Sequence, residues 1–235
     1  MLIKMKNLNI FSLISEYENA KSGGILNVPN ISFVDEDSSI RYLLKNVLTH
    51  NGYEYVDLGL PSGLKWATCN VGASSPEKYG LYFAWGETTG YTAEQVPGVR
   101  AFDEASYTAS AISTNLTLEQ DAAHVHMGGN WRMPTKAEFK ELINNCSVDK
   151  TYNYNGTGIK GRVFTSKVNG KSVFFPAAGY CNHSSAKYVG SYGYYWSASR
   201  YSSYYAWSLN DSSGSMYLNY DEFRYYGYSV RGVFK

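Results

Sequence analysis

TKAEFKELINNC, residues Thr135 to Cys146, decides the fold class. Thr135 with Glu138 three positions on is a capping box, in which side chain and backbone satisfy each other's free amides at a helix start. Phe139, Leu142, Ile143 and Cys146 then fall at i, i+3, i+4 and i+7, one apolar stripe on a helix that must cover a core. Cys146 is expected buried and inert there. Upstream, Thr117 and Gln120 form a second box before Ala122 and Ala123, and that segment closes at Gly128-Gly129. Further upstream, Tyr53 to Leu58 and Lys65 to Asn70 are strand-like pieces around a Pro61-Ser62-Gly63 turn, which predicts a hairpin. After Thr151 short strands separated by Gly and Asn turns run to Lys235. Helices early and strands late make the class α+β.

The chain has 235 residues, enough for one sizeable domain plus an extension. Its 21 basic and 20 acidic side chains leave a net charge of +1, which gives no electrostatic case for nucleic acid or an anionic membrane surface. No run of eighteen apolar residues exists, so no membrane insertion is expected. The three cysteines, Cys69, Cys146 and Cys181, match neither a disulfide framework nor a zinc pattern. The opening, MLIKMKNLNIFSLISEYENA, is interrupted by Asn7, Asn9, Ser12 and Ser15 and carries no cleavage site, so no signal peptide is read. Ile10, Phe11, Leu13, Ile14 and Tyr17 instead suggest a short helix ending at Gly23-Gly24. Ile31/Phe33 and Ile40/Tyr42/Leu44 alternate around the acidic turn Asp35-Glu36-Asp37, two extended segments. Residues 1–50 are too poor in apolar content to fold alone. They read as an arm for attachment or oligomerisation, with residues 51–235 as the ligand-binding domain.

The end of the chain is unlike the rest. Ser199 to Tyr228 reads SRYSSYYAWSLNDSSGSMYLNYDEFRYYGY, and nineteen of these thirty residues are Ser, Tyr, Asn or Asp. Tyr offers a large, rigid contact area with a polar tip, while Ser, Asn and Asp add adaptable hydrogen bonding, the alphabet on which antibody loops converge. Disorder is the bland alternative, but Trp196, Ala206, Trp207, Leu209, Met216, Leu218, Val230 and Val233 want burial, and a disordered tail lacks such anchors. An ordinary half-exposed sheet is compatible with the binding reading.

Residues for catalysis or metal binding are sparse. His124 and His126 stand at i, i+2, which on a helix points to different faces and disfavours joint ligation. There is no HExxH, Walker loop or GxSxG, and Glu87, Glu94, Asp103 and Glu104 read as solvated acids. No enzyme, no metal and no cofactor is the expectation.

A set of blocks carries a resemblance: VDLGLPSGLKWATCNVGA (Val56 to Ala73), YFAWGET (Tyr82 to Thr88), GGNWRMPTKAEFKELINNC (Gly128 to Cys146), FFPAAGY (Phe174 to Tyr180), GYYWSAS (Gly193 to Ser199) and YSVRGV (Tyr228 to Val233). Together they resemble a large family of gut Bacteroidetes and phage proteins with a C-type-lectin-like fold, related to the formylglycine-generating sulfatase-modifying enzymes. Many members are variable proteins of diversity-generating retroelements, in which adenines of a template repeat are randomised and the end of the target gene is rewritten. Randomised AAY codons never yield Lys, Glu, Gln, Met or Trp. Within the terminal tract only Trp207, Met216 and Glu222 belong to that forbidden set.

Residue type plus the resemblance place Tyr201, Ser203, Tyr204, Tyr205, Ser208, Asn210, Ser212, Ser215, Tyr217, Asn219, Tyr220, Asp221, Phe223, Tyr225 and Tyr226 on a ligand-binding face. Trp196, Ala206, Trp207, Leu209, Gly227 and Val230 are expected to hold it. The sequence departs from calcium-dependent lectins, since Trp207 is followed by Ser208-Leu209-Asn210, and from the oxidase relatives, since no cysteine follows Cys181. The resemblance therefore implies a non-enzymatic receptor-binding protein of a phage virion, meeting a cell-surface protein or glycan. A bacterial cell-surface adhesin of fixed specificity is the alternative, and an enzyme of the formylglycine-generating type is a second.

Overall fold

The computed structural model describes residues 29–36, 39–46, 48–212 and 214–235, with side chains from residue 48 onward except those of Pro97 and Ser212. Contacts divide the chain into two compact units, 1–49 and 50–235. In the first, β1 (Pro29–Glu36) and β2 (Ser39–Asn46) pair antiparallel, with Ile31 opposite Leu44 and Phe33 opposite Tyr42. These are the two extended segments that the alternation predicts. The helix expected over Ile10 to Tyr17 lies outside the described residues.

The chain continues through β3 (Thr49–His50), β4 (Tyr53–Asp57), β5 (Lys65–Asn70), β6 (Tyr82–Phe83), α1 (Ala122–Met127) and α2 (Lys136–Asn145). Then come β7 (Cys146–Thr151), β8 (Gly161–Ser166), β9 (Ser172–Pro176), β10 (Tyr180–Asn182), β11 (Ser185–Lys187), β12 (Gly193–Arg200), β13 (Tyr205–Ser212), β14 (Ser215–Phe223), β15 (Tyr228–Ser229) and β16 (Arg231–Phe234). The class is α+β, with small sheets ordered β14-β13-β12-β15-β6, β16-β5-β4-β3 and β7-β8-β9, and the hairpin β10-β11. The β12–β15 pairing is parallel, while the other pairs of that five-stranded sheet are antiparallel. Among the described residues no helix is long and apolar enough to cross a membrane.

Helix α2 forms as its sequence dictates. The Thr135 hydroxyl accepts from the Glu138 amide, and the Glu138 carboxylate accepts from the Thr135 amide. Its stripe packs Phe139, Leu142 and Cys146 against Trp66, Phe164, Phe175, Tyr195, Leu209 and Val233, with Ile143 at the margin. Burial pushes the Cys146 thiol up to about 11. The β4–β5 hairpin is also present, with Val56 opposite Trp66 and a turn closed from the Gly63 amide to the Leu60 carbonyl. A second aromatic cluster holds Trp85, Trp131, Trp196 and Tyr228.

Arg231 joins the small sheets. Fully buried, its guanidinium donates to the Asn70 side chain and to the carbonyls of Ala67, Thr68 and Phe174. Satisfying every buried donor is what makes a charge tolerable there; burial still pulls the Arg231 pKa down.

Three local expectations are corrected. The Thr117–Gln120 pair caps a separate 3-10 turn, Leu118–Gln120. Helix α1 is instead capped by Asp121, whose carboxylate accepts from the His124 and Met133 amides, because Asp121 has extended backbone and breaks the two apart. Strand structure begins at Cys146, directly at the end of α2, rather than after Thr151. Glu87 is not a solvated acid: it receives Arg100 Nη2 at 2.7 Å and the Thr108 amide and hydroxyl.

Candidate ligand-binding face

The terminal tract takes in the end of β12 and the whole of β13 and β14, three neighbouring antiparallel strands. Tyr195, Leu209 and Leu218 stand in one row across them, all turned toward the core beneath α2. The next rows, Tyr194–Asn210–Tyr217 and Trp196–Ser208–Asn219, belong to the opposite side of the sheet by the two-residue alternation of strands. Of the predicted residues, this alternation puts Ser208, Asn210, Ser215, Tyr217 and Asn219 on that side.

Tyr204 is 63% exposed, Tyr201 and Tyr220 are each 48% exposed, and Tyr217 is 39% exposed. Ser203, Ser215 and Asp221 are exposed too, while Tyr205, Asn219, Phe223, Tyr225 and Tyr226 are half-buried. Ser208 and Asn210 are a correction, for both are fully buried. They are short side chains on the middle strand, between Tyr194 and Tyr217 or between Trp196 and Asn219, so larger neighbours cover them. The side chain of Ser212 lies outside the described residues. Among the expected anchors, Trp196, Ala206, Leu209 and Val230 are fully buried, and Gly227 is buried. Trp207 is only half-buried.

Ring contacts gather the exposed aromatics into two patches. In one, Trp207 meets Tyr201 edge-on at 5.6 Å and Tyr220 at 5.4 Å, and those two tyrosines lie 4.8 Å apart. Lys136, the first residue of α2, places its ammonium 3.3 Å from the centroid of the Trp207 ring, a cation–π contact. The strand register explains the position of Trp207. Ala206 pairs with Glu222 and Ser208 with Asn219, so Trp207 faces two residues, Tyr220 and Asp221. The extra residue is on β14, so the bulge takes Tyr220 and Asp221 out of that strand's alternation while Trp207 keeps its own on β13.

The other patch is a ridge running Tyr204, Tyr205, Phe223, Tyr225 and Tyr226 into Tyr180 and Tyr194. Its floor is Glu222. That carboxylate accepts from the amides of Asn210 at 2.7 Å and Asn219 at 2.8 Å, and from the Tyr228 hydroxyl. Ser208 extends the network by donating to Asn210. Burial, reinforced by the Glu222 charge, pushes the Tyr226 phenol up to about 12 and those of Tyr194 and Tyr228 higher.

Arg224, also within the tract, is buried and pins a neighbouring loop. It donates to the Ser203 and Ala109 carbonyls and the Tyr107 hydroxyl, and lies over the Trp85 ring. Residue type alone hid Glu222, Arg224 and Lys136. Only the forbidden-codon argument marked Glu222 in advance.

No residue of the tract lines the described cavity of about 540 Å³, which is bounded by Glu87, Arg100, Thr108 and their neighbours. His124 donates to the Trp131 carbonyl and His126 to that of Thr88, so the two rings serve different contacts. Among the described residues no group of three His, Cys, Asp or Glu is placed to hold a metal.

The model of the Lcl C-terminal domain matches residues 59–232. The chain belongs to that family. The Lcl C-terminal domain is a variable binding domain and not a known enzyme family. No curated protein and no solved structure matches the chain. The matched span takes in both aromatic patches, α2 and the Glu222 network.

Proposed function

We propose that this chain is a non-enzymatic ligand-binding protein of the variable class, with a C-type-lectin-like fold in residues 51–235 and a diversified surface on the β12–β14 strands. Its ligand is a protein or glycan on a cell surface. Residues 1–50 serve as the arm that attaches it to a virion or to further copies, and the setting is host recognition by a phage or prophage.

One observation carries this reading. Of the three residues of the tract that randomised AAY codons cannot produce, two occupy supporting positions, Met216 in the core and Glu222 on the floor of the ridge, and the third, Trp207, is the half-buried centre of the other patch. The exposed tyrosines around them, Tyr201, Tyr204, Tyr217 and Tyr220, are residues such codons do produce. Exposed positions accept substitution within about 0.5 kcal/mol, whereas core positions do not, so a scaffold of this kind can change its surface without losing its fold.

The test is adsorption of the fluorescently labelled full chain to a panel of bacterial isolates. Tyr204→Ser combined with Tyr220→Ser should abolish binding to any isolate that the wild type labels, at an unchanged melting temperature. Equal labelling by wild type and variant would remove the assignment of the face.

A further inference from the structure

Lys136 is the unusual cation of this surface. It is half-buried, and among the described residues its ammonium has no carboxylate and no hydrogen-bond acceptor, only the Trp207 ring. An ammonium carries three donors, and a ring face satisfies none of them as a hydrogen bond. Its backbone is already engaged, with the Lys136 amide on the Ser199 hydroxyl. The side chain is thus fixed beside Trp207, Tyr201 and Tyr220 with free donors. Tyr and Trp are residue types that dominate protein-binding hot spots, and Lys136 sets beside them a charge unpaired among the described residues. The patch does not line the cavity of about 540 Å³, and with Tyr201 and Tyr220 about half exposed it is an open surface, which suits a macromolecule better than a small molecule, since small molecules favour concave sites.

We infer that the Trp207 patch is a constant subsite for an acidic peptide segment of a protein partner, with an Asp or Glu carboxylate of the partner taking Lys136 Nζ and the partner's adjoining apolar groups lying on Tyr201 and Tyr220. This rests on the binding face proposed above. It adds that two contact residues, Lys136 outside the variable tract and Trp207 inside it, are shared by every variant, so that diversification tunes the surroundings of one fixed anchor. The charge complementarity is local, since the chain as a whole carries only +1.

Trp66, Trp85, Trp131 and Trp196 are fully buried, so ligand quenching of tryptophan fluorescence reports Trp207. The experiment selects a random dodecapeptide library on the full chain, on Lys136→Gln and on Lys136→Arg, and titrates the resynthesised winners by fluorescence, alongside heparin fragments. The expected winners are rich in Asp or Glu, quench wild-type fluorescence, weaken at least tenfold on Lys136→Gln or on exchange of their acids for amides, and recover with Lys136→Arg. Winners without acids, or acidic winners indifferent to Lys136→Gln, overturn the subsite. Heparin binding in the absence of acidic winners overturns the peptide assignment in favour of an anionic glycan. In each of these cases ligands that still depend on Tyr204 or Tyr220 leave the proposed face standing; if no peptide or heparin ligand depends on any exposed tyrosine, both fall.

Discussion

The two aromatic patches use the same residue types for different ends. The Trp207 patch is open: three rings and one ammonium stand at a bulge, with Tyr201 and Tyr220 about half exposed. The ridge is closed from below, its tyrosines leaning on Tyr180, Tyr194 and Tyr228 around the Glu222 carboxylate. Tyrosine is therefore contact surface in one patch and partly framework in the other. The difference lies in what stands behind the ring, since a phenol over a satisfied polar network is held, while one on a bulge is free to meet a partner.

The largest effect should come from removing the ridge's support. Trp196 stacks on Tyr228 at 4.2 Å and donates to the Phe83 carbonyl. Trp196→Ala should cost about 3–5 kcal/mol, read by urea denaturation. A loss below a third of that would mean the stack is not structural.

Glu222→Ala comes next. It strands the buried Asn210 amide and takes an acceptor from Asn219 and from Tyr228. Leaving a buried polar group unpaired costs about 1–3 kcal/mol, so the midpoint should fall while the acrylamide quenching of Trp207, the one tryptophan that is not fully buried, stays unchanged. Coupled changes in both would show that the patches are one unit.

Alkaline titration probes the ridge. Raised folded-state values mean that the neutral ridge phenols favour the native state, so their contribution is whole below the unfolded value near 10 and is lost as pH rises toward about 12, where Tyr226 ionises. Stability should therefore fall across that window, and Tyr226→Phe should shallow the fall. An identical slope in the variant would contradict the assignment.

The smallest effect on stability is expected at the exposed rim. Tyr204→Ser and Tyr201→Ser should each change the unfolding free energy by no more than about 0.5 kcal/mol. A larger loss at either would move that residue from surface to framework.

Much of the scaffold was legible because it rests on local rules. The Thr135 box, the stripe through Phe139 and Leu142, the β4–β5 hairpin and the anchors Trp196 and Leu209 follow from spacing and residue type. Ser208 and Asn210 did not, because a small polar residue on a central strand reads the same as one on an edge until its cross-strand neighbours are known. Trp207 was expected inside because of its size, and the β14 bulge that stands opposite it is a property of pairing between strands. Lys136 sits in the best-signalled helix of the chain, yet its meeting with Trp207 depends on how α2 lies on the sheet. Arg224 and Arg231 are charged residues that sequence reasoning assigns to the surface, and only their acceptors, backbone carbonyls together with the Tyr107 hydroxyl and the Asn70 side chain, explain their burial.

The most direct test of the central claim, that an exposed surface varies over a fixed floor, is deep sequencing of the codons for residues 199–228 across the source population. The account predicts substitutions at adenine-derived codons for exposed positions such as Tyr201, Ser203, Tyr204, Tyr217 and Tyr220. Trp207, Ser208, Leu209, Asn210, Met216, Glu222 and Arg224 should be constant. Substitutions falling equally on the buried positions, or a tract identical in every cell, would contradict it.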